Sequence, residues 1–282
     1  MAALTDLSDL INRLTGGNSG TPETAFWQKV PRVAGAAATA PNGGRWQSAW
    51  TYDGFPAGGA VPTSAAIPTR TTTGALNFTA PGGSREKFMI SAFVAPQISG
   101  TYLIYDRLFH IGGLSGTSTA DQTVQGSPAS PALTRNTGGA GNFVFFEVYT
   151  QIGGTATTLT MTYTNQAGTG GQTSTINIGG TGFRDVTRFQ RITLAAGDTG
   201  ARAVEKVKLT ATTGTAGNFG ITIAQPLAYF VIGAGGECSV RDYTTGLPGI
   251  PVINPDACLA IAFMPSTATA PEIWAGATFV EK

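Results

Sequence analysis

Between Arg191 and Ile232 the chain alternates apolar and polar residues with a period of two and breaks the alternation with glycine turns, which admits strands and excludes helices. Ile192 and Leu194 share one strand face, and Val207, Leu209 and Ala211 alternate with Lys206, Lys208 and Thr210, the pattern of a sheet with one wet side. GDTG at 197–200 is a Gly and Asp turn, and TGTAGN at 213–218 leads into Phe219, Ile221 and Ile223 on one face. Pro226 then punctuates before LAYFVI, an apolar run suited to a strand buried on both sides. Segments of this kind fold only by packing sheet on sheet.

Composition agrees. Charged residues make up 12% of the chain, about half of the ~25% usual in soluble domains, and 39 glycines supply turns. With 282 residues the chain is long enough for a large core, and sandwiches of about 200–250 residues commonly form one domain. Lysine plus arginine at 17 against aspartate plus glutamate at 16 leaves no basic face for phosphates, so nucleic acid is not an expected partner. No charged residue occurs from Val148 to Phe183. A neutral, threonine-rich surface loses little when covered, because hydroxyls re-pair with backbone groups; the plainer reading is two strands with a polar outer face.

The N-terminus is organised differently. Leu4, Leu7, Leu10, Ile11 and Leu14 follow the spacing of one helical face, with Thr5 or Asp6 to cap it and Gly16–Gly17 to end it. So short a helix is marginal alone in water, below the ~12–15 residues an isolated helix needs, so its stripe docks on its own sandwich or on a neighbouring subunit. Residues 18–44, with three prolines and many small residues, read as an extended arm whose anchors are Phe26 and Trp27, plugging either the parent core or a partner's pocket. The expected organisation is a helix and arm over 1–44 and a jelly-roll-like β-sandwich over 45–282, in one or two subdomains. An arm of that kind is dispensable for folding, so removing 1–44 should leave the sandwich intact.

From Arg45, RWQSAWTYDGF places Trp46, Trp50 and Tyr52 on one face if it is a strand, either core or, exposed, a carbohydrate-stacking platform. KFMISAFVA at 87–95 and TYLIYDRLFHIGG at 101–113 are strands, and 114–141 is a surface excursion. TGGAGNF at 137–143 echoes TGTAGNF at 213–219, which we read as equivalent corners brought together at one end of a jelly roll.

Catalytic chemistry finds little footing. His110 is the single histidine, in an apolar strand with no G-x-S-x-G elbow to set a serine beside it, and a hydrogen-bonded strand histidine is the simpler reading. Asp53, Asp106, Glu147 and Asp242 lie in different strands or turns, and their spacing neither makes nor forbids a carboxylate pair. GAGGEC at 233–238 has Cys238 where a dinucleotide loop needs its third glycine. Cys238 and Cys258 lack CxxC spacing and histidine partners, so zinc is not expected, and two small buried thiols are preferred over a disulfide. No metal, cofactor or catalytic residue is expected. MAALTDLSDLINRL lacks the basic start and apolar core of a signal peptide, and no apolar run is long enough for a bilayer, so neither export nor a membrane is expected.

A resemblance adds to this. GDTGARAV at 197–204, the Lys-rich strand after it, TGTAGNF, and PLA at 226–228 resemble a pattern in structural proteins of tailed-bacteriophage particles. LTMTYTNQAGTGGQT at 159–173 and ACL at 257–259 are similar to the same group, so the likeness spans roughly residues 135–265. It implies a virion protein assembled in the bacterial host cytoplasm: a capsid decoration or cement protein on the major capsid protein, or a tail, baseplate or head-to-tail component. It also implies a homo-oligomer, a trimer in many decoration proteins. The alternative outside this group is a carbohydrate-binding sandwich module using the tryptophan face.

Overall fold

The computed structural model describes residues 7–16, 22–31, 43–245 and 249–282. Among these the chain is all β apart from one helix, α1 (Leu7–Leu14). The strands are β1 (Glu23–Val30), β2 (Gln47–Ser48), β3 (Asp53–Phe55), β4 (Lys87–Pro96), β5 (Gly100–Leu114), β6 (Gln122–Thr123), β7 (Phe143–Thr150) and β8 (Thr157–Asn165). They continue with β9 (Gln172–Ile178), β10 (Phe189–Ile192), β11 (Ala201–Leu209), β12 (Asn218–Ile232), β13 (Ser239–Asp242), β14 (Val252–Ile253), β15 (Leu259–Pro265) and β16 (Ile273–Glu281).

Three antiparallel sheets result. The first runs β13-β4-β16-β1-β3 with β14 also on β4; the central one runs β10-β7-β12-β5-β15-β2; the third runs β6-β11-β8-β9. β5 and β12, each 15 residues long, carry the central sheet past both others. At one end Tyr102 and Ile104 of β5 and Phe230 and Ile232 of β12 share a core with Trp27, Val94 and Ala275 of the first sheet. At the other, Phe109, Ile111, Ile221 and Ile223 share a core with Leu159, Met161 and Val207 of the third. These inward residues of β5 and β12 are even-numbered in the first core and odd-numbered in the second, with Leu108 and Leu114 joining the second core beside register shifts. Register shifts between Ile223 and Ala224 and between Pro226 and Ala228 absorb the change, since a bulge moves side chains to the other face. The expected break at Pro226 is therefore not a strand end: the proline has no N–H to lend the ladder and sits where the ladder is already irregular. The opposite face of the central sheet carries Leu103, Tyr105, Phe145 and Phe189 and is closed by Trp50.

Two other expectations are corrected. Residues 23–30 are not an extended arm but β1, paired along its length with β16 and at its end with β3. The alternation was hidden because the inward row is Ala25, Trp27 and Lys29, while Phe26 points outward. Lys29 is held inside by donating to the carbonyls of Pro56 at 2.9 Å and Ala57 at 3.2 Å. Burial brings its pKa down to about 8, a fall that nearby Asp53 partly opposes. The echoed corners lie at opposite ends of the β7–β12 pairing, because the two strands are antiparallel and Asn218 faces Thr150 while Ala224 faces Phe143. What they share is local, a glycine in the left-handed region at Gly141 (φ 76°) and Gly217 (φ 53°).

Candidate partner interface

The outer face of the first sheet carries the largest concentration of exposed aromatic side chains. Register across four strands aligns Phe26 of β1 with Gly276 of β16, Phe93 of β4 and Val240 of β13. The next row aligns Phe55 of β3, Gln28, Trp274 and Ala95. Phe26 is 50% exposed, Phe55 60%, Val240 60% and Trp274 37%. Phe26 and Trp274 stand between inward-facing neighbours, so the period-2 geometry of β1 and β16 aims them together at solvent, and register brings Phe55 and Val240 of the edge strands beside them. The Phe26 ring lies 5.8 Å from that of Phe93 and 5.7 Å from that of Trp274, both tilted, which fixes the cluster's shape before any partner arrives. Gly276 belongs to the same design: a Cβ there would stand 2.5 Å from the Phe93 ring and 2.6 Å from the Ala25 carbonyl. The ring packs over the glycine instead.

Helix α1 closes one end of this face. Leu10 packs on Phe88, Ile90 and Val280. Arg13 donates from Nη1 to the Glu281 carbonyl at 2.7 Å, and Lys282 Nζ pairs with Asp9 at 2.9 Å. Of the residues anticipated from sequence as interface, Leu10 is thus spent on the chain's own sheet, while Ile11 and Leu14 are exposed. Leu7 opens the helix. Leu4 and the expected caps Thr5 and Asp6 lie outside the described residues. Trp27 is wholly buried, with Nε1 donating to the Asn77 carbonyl at 2.9 Å, so it plugs the parent core and not a partner's pocket. Only Phe26 joins the aromatic face. Phe55, Phe93, Val240 and Trp274 were not singled out from sequence; the inward alternation of Ile273, Ala275, Ala277 and Phe279 is the signal that places Trp274 outside.

The remaining chemical groups pair internally. On β5, Asp106 and Arg107 point to opposite faces of the central sheet. Asp106 accepts from Nε and Nη2 of Arg135, both at 3.0 Å, beside a polar cleft of about 310 Å³ where the two cores meet. Arg107 Nη2 meets Glu147 at 2.7 Å, and Glu147 also accepts from the hydroxyls of Tyr149 at 2.9 Å and Thr222 at 2.6 Å. Arg107 Nε donates to His110 Nδ1 at 2.9 Å, and the guanidinium lies 4.6 Å from the Trp50 ring. Burial, and then the Arg107 charge, pull the His110 pKa down to about 2. A histidine that accepts from a cation on Nδ1 is held neutral and is a poor base, the reverse of a catalytic histidine backed by a carboxylate.

Trp50 and Tyr52 are both buried, in different clusters, because a turn at 50–51 breaks the strand that would have aligned them with Trp46. The exposed face of Trp46, Trp50 and Tyr52 that a sugar platform required is not formed. Cys258 is buried and its thiol pushed up to about 12 by that burial, whereas Cys238, expected inside, is exposed in the turn before β13. Both are free thiols. Among the described residues no group of three or more His, Cys, Asp or Glu is placed to hold a metal, and no helix is long and apolar enough to cross a membrane.

Comparison with known protein families finds no match to the chain, and comparison with curated proteins finds none. Among solved structures, the infectious bursal disease virus VP2 subviral particle aligns at 10% identity over 92% of this chain and 80% of that one, with a TM-score of 0.18. The structure of the infectious bursal disease virus Gt strain aligns at 11% identity over 93% and 80%, with a TM-score of 0.17.

Proposed function

We propose that this chain is a non-catalytic structural protein of a virion, which works by binding other virion subunits. The observation that carries the reading is the aromatic outer face of the first sheet. Exposed aromatic side chains gathered on a rigid sheet, with their rings already packed on one another, have the make-up of interaction hot spots. Its surroundings support the reading: the strands β1, β16 and β4 carry no charge across three rows of the face, and the threonine-rich β8 and β9 add neutral surface beside the lysines of β11. The pairing of Asp106, Arg107, Glu147 and His110 inside the fold supports a non-catalytic role. The virion itself enters through the resemblance of residues 135–265 to tailed-phage structural proteins. Within that class we favour a decoration or cement protein, which clamps neighbouring capsid subunits by adding many small contacts over a symmetric lattice. A tail or head-to-tail position is the second reading.

The test is incorporation. Tagged wild-type chain should co-sediment with particles through a density gradient, and Phe26→Asp or Trp274→Asp should stay folded yet be absent from the particle fraction. Wild-type chain that never co-sediments, or variants that occupy particles normally, would end the proposal. A low-resolution map of labelled particles separates head from tail.

A further inference from the structure

We infer that the outer face of the first sheet is the contact between two copies of this chain, packed sheet on sheet about a two-fold axis. The inference deepens the reading above and rests on it for the face's role as an interface, but adds the identity of the occupant.

Charge is the first argument. On the adjoining strands β1, β16 and β4, three successive cross-strand rows of this face hold Thr24, Thr278 and Ser91, then Phe26, Gly276 and Phe93, then Gln28, Trp274 and Ala95. None of these residues ionises; Asp242, beside Ser91 on β13, lies at the sheet's edge. In a two-fold contact each patch meets its own image, so any ionised group near the axis faces its like at close range, a penalty that a heterologous partner can avoid by offering the opposite sign. A neutral patch suits self-pairing.

Extent is the second. The 34 residues of β1, β3, β4, β13 and β16, at ~3.3 Å along and ~4.8 Å between strands, make a face of roughly 540 Å². A standard interface takes about 800 Å² from each partner. The end that α1 covers is not lost to the contact, since the helix exposes Ile11 and Leu14. Shape is the third argument: side chains projecting from two such sheets interdigitate at a separation of about 10 Å, and the fixed Phe26, Phe93 and Trp274 cluster offers knobs with the lower Thr24, Ser91 and Thr278 row beside them.

Sedimentation equilibrium on the full chain tests this. Wild type should show a monomer–dimer equilibrium, and Phe26→Asp and Trp274→Asp should each weaken it by at least about 30-fold, the scale of one hot spot. Thr175→Asp, on the exposed outer side of β9, should leave it unchanged. Circular dichroism melts establish that each variant is folded. A wild-type chain that remains monomeric to about 100 µM, or dimers indifferent to both face substitutions, would overturn the inference. If the chain is monomeric while Phe26→Asp is still lost from particles, the face binds a different subunit and the proposed function survives. If it dimerises through this face and never joins particles, the reverse holds.

Discussion

His110 shows how a single residue records the cost of a buried polar network. In the folded chain it stays neutral because burial and Arg107 oppose its protonation, with a pKa of about 2 against 6.5 unperturbed. Below pH 6.5 the unfolded chain binds a proton that the folded chain refuses, so the unfolded state gains and stability falls as pH drops. The contribution is complete above pH 6.5 and is lost toward pH 2 at up to about 1.4 kcal/mol per pH unit. Urea midpoints measured from pH 7 to pH 4 should therefore show a slope that His110→Gln reduces by about one proton. An unchanged slope would mean that carboxylates alone set the acid limit. The histidine's strand setting was legible in LFHIGG, because the apolar neighbours are local. The carboxylate that pairs with Arg107 was not, since Glu147 lies on another strand and only the register of β7, β12 and β5 brings it there.

At the scale of elements, β1 is the instructive case. Residues 18–44 read as an arm because of their three prolines, many small residues and few alternating apolar positions, and within 23–30 the alternation is masked by an inward lysine and an outward phenylalanine. Both inversions have causes in the fold: Pro56 and Ala57 carbonyls for Lys29, an aromatic cluster for Phe26. By contrast α1, β4, β5 and β11 are readable, because their patterns are local and regular. The two N-terminal elements should thus behave differently on truncation. Removing residues 1–16 uncovers Phe88, Ile90 and Val280 and should lower stability by about 2–4 kcal/mol while leaving a folded sheet. Removing 1–44 takes β1 from between β16 and β3 and Trp27 from the core, and should leave no cooperative unfolding transition. Chemical denaturation of the two truncations decides the point; a folded 45–282 fragment would restore the arm.

For the whole molecule, the long strands β5 and β12 make two cores into one structure. Each core borrows half its wall from the same pair of strands, so neither can open without disturbing the ladder that supports the other. Phe146→Ala, in the core under the third sheet, should cost about 3–5 kcal/mol. That loss should shift the unfolding midpoint reported from the first core, followed through a probe near Trp27, by the same amount as a probe in its own. Two separated transitions would show two independent domains instead. Several strands of both cores are legible in sequence, though β1 and β16 of the first are not, and the sharing of the cores is not either, because the switch of facing residues at Ala224–Ala228 is a register event spread over two strands and leaves no pattern in either one.

Those two strands have a mechanical meaning as well. Fifteen residues at ~3.3 Å make each a beam about 50 Å long, hydrogen-bonded to its neighbour from end to end. A pull along the beams loads many of those bonds in shear at once, whereas a pull across them peels the bonds one by one. A chain so built is stiff along one axis and weak along the other, and its orientation on a stretched surface then decides how much tension it can carry.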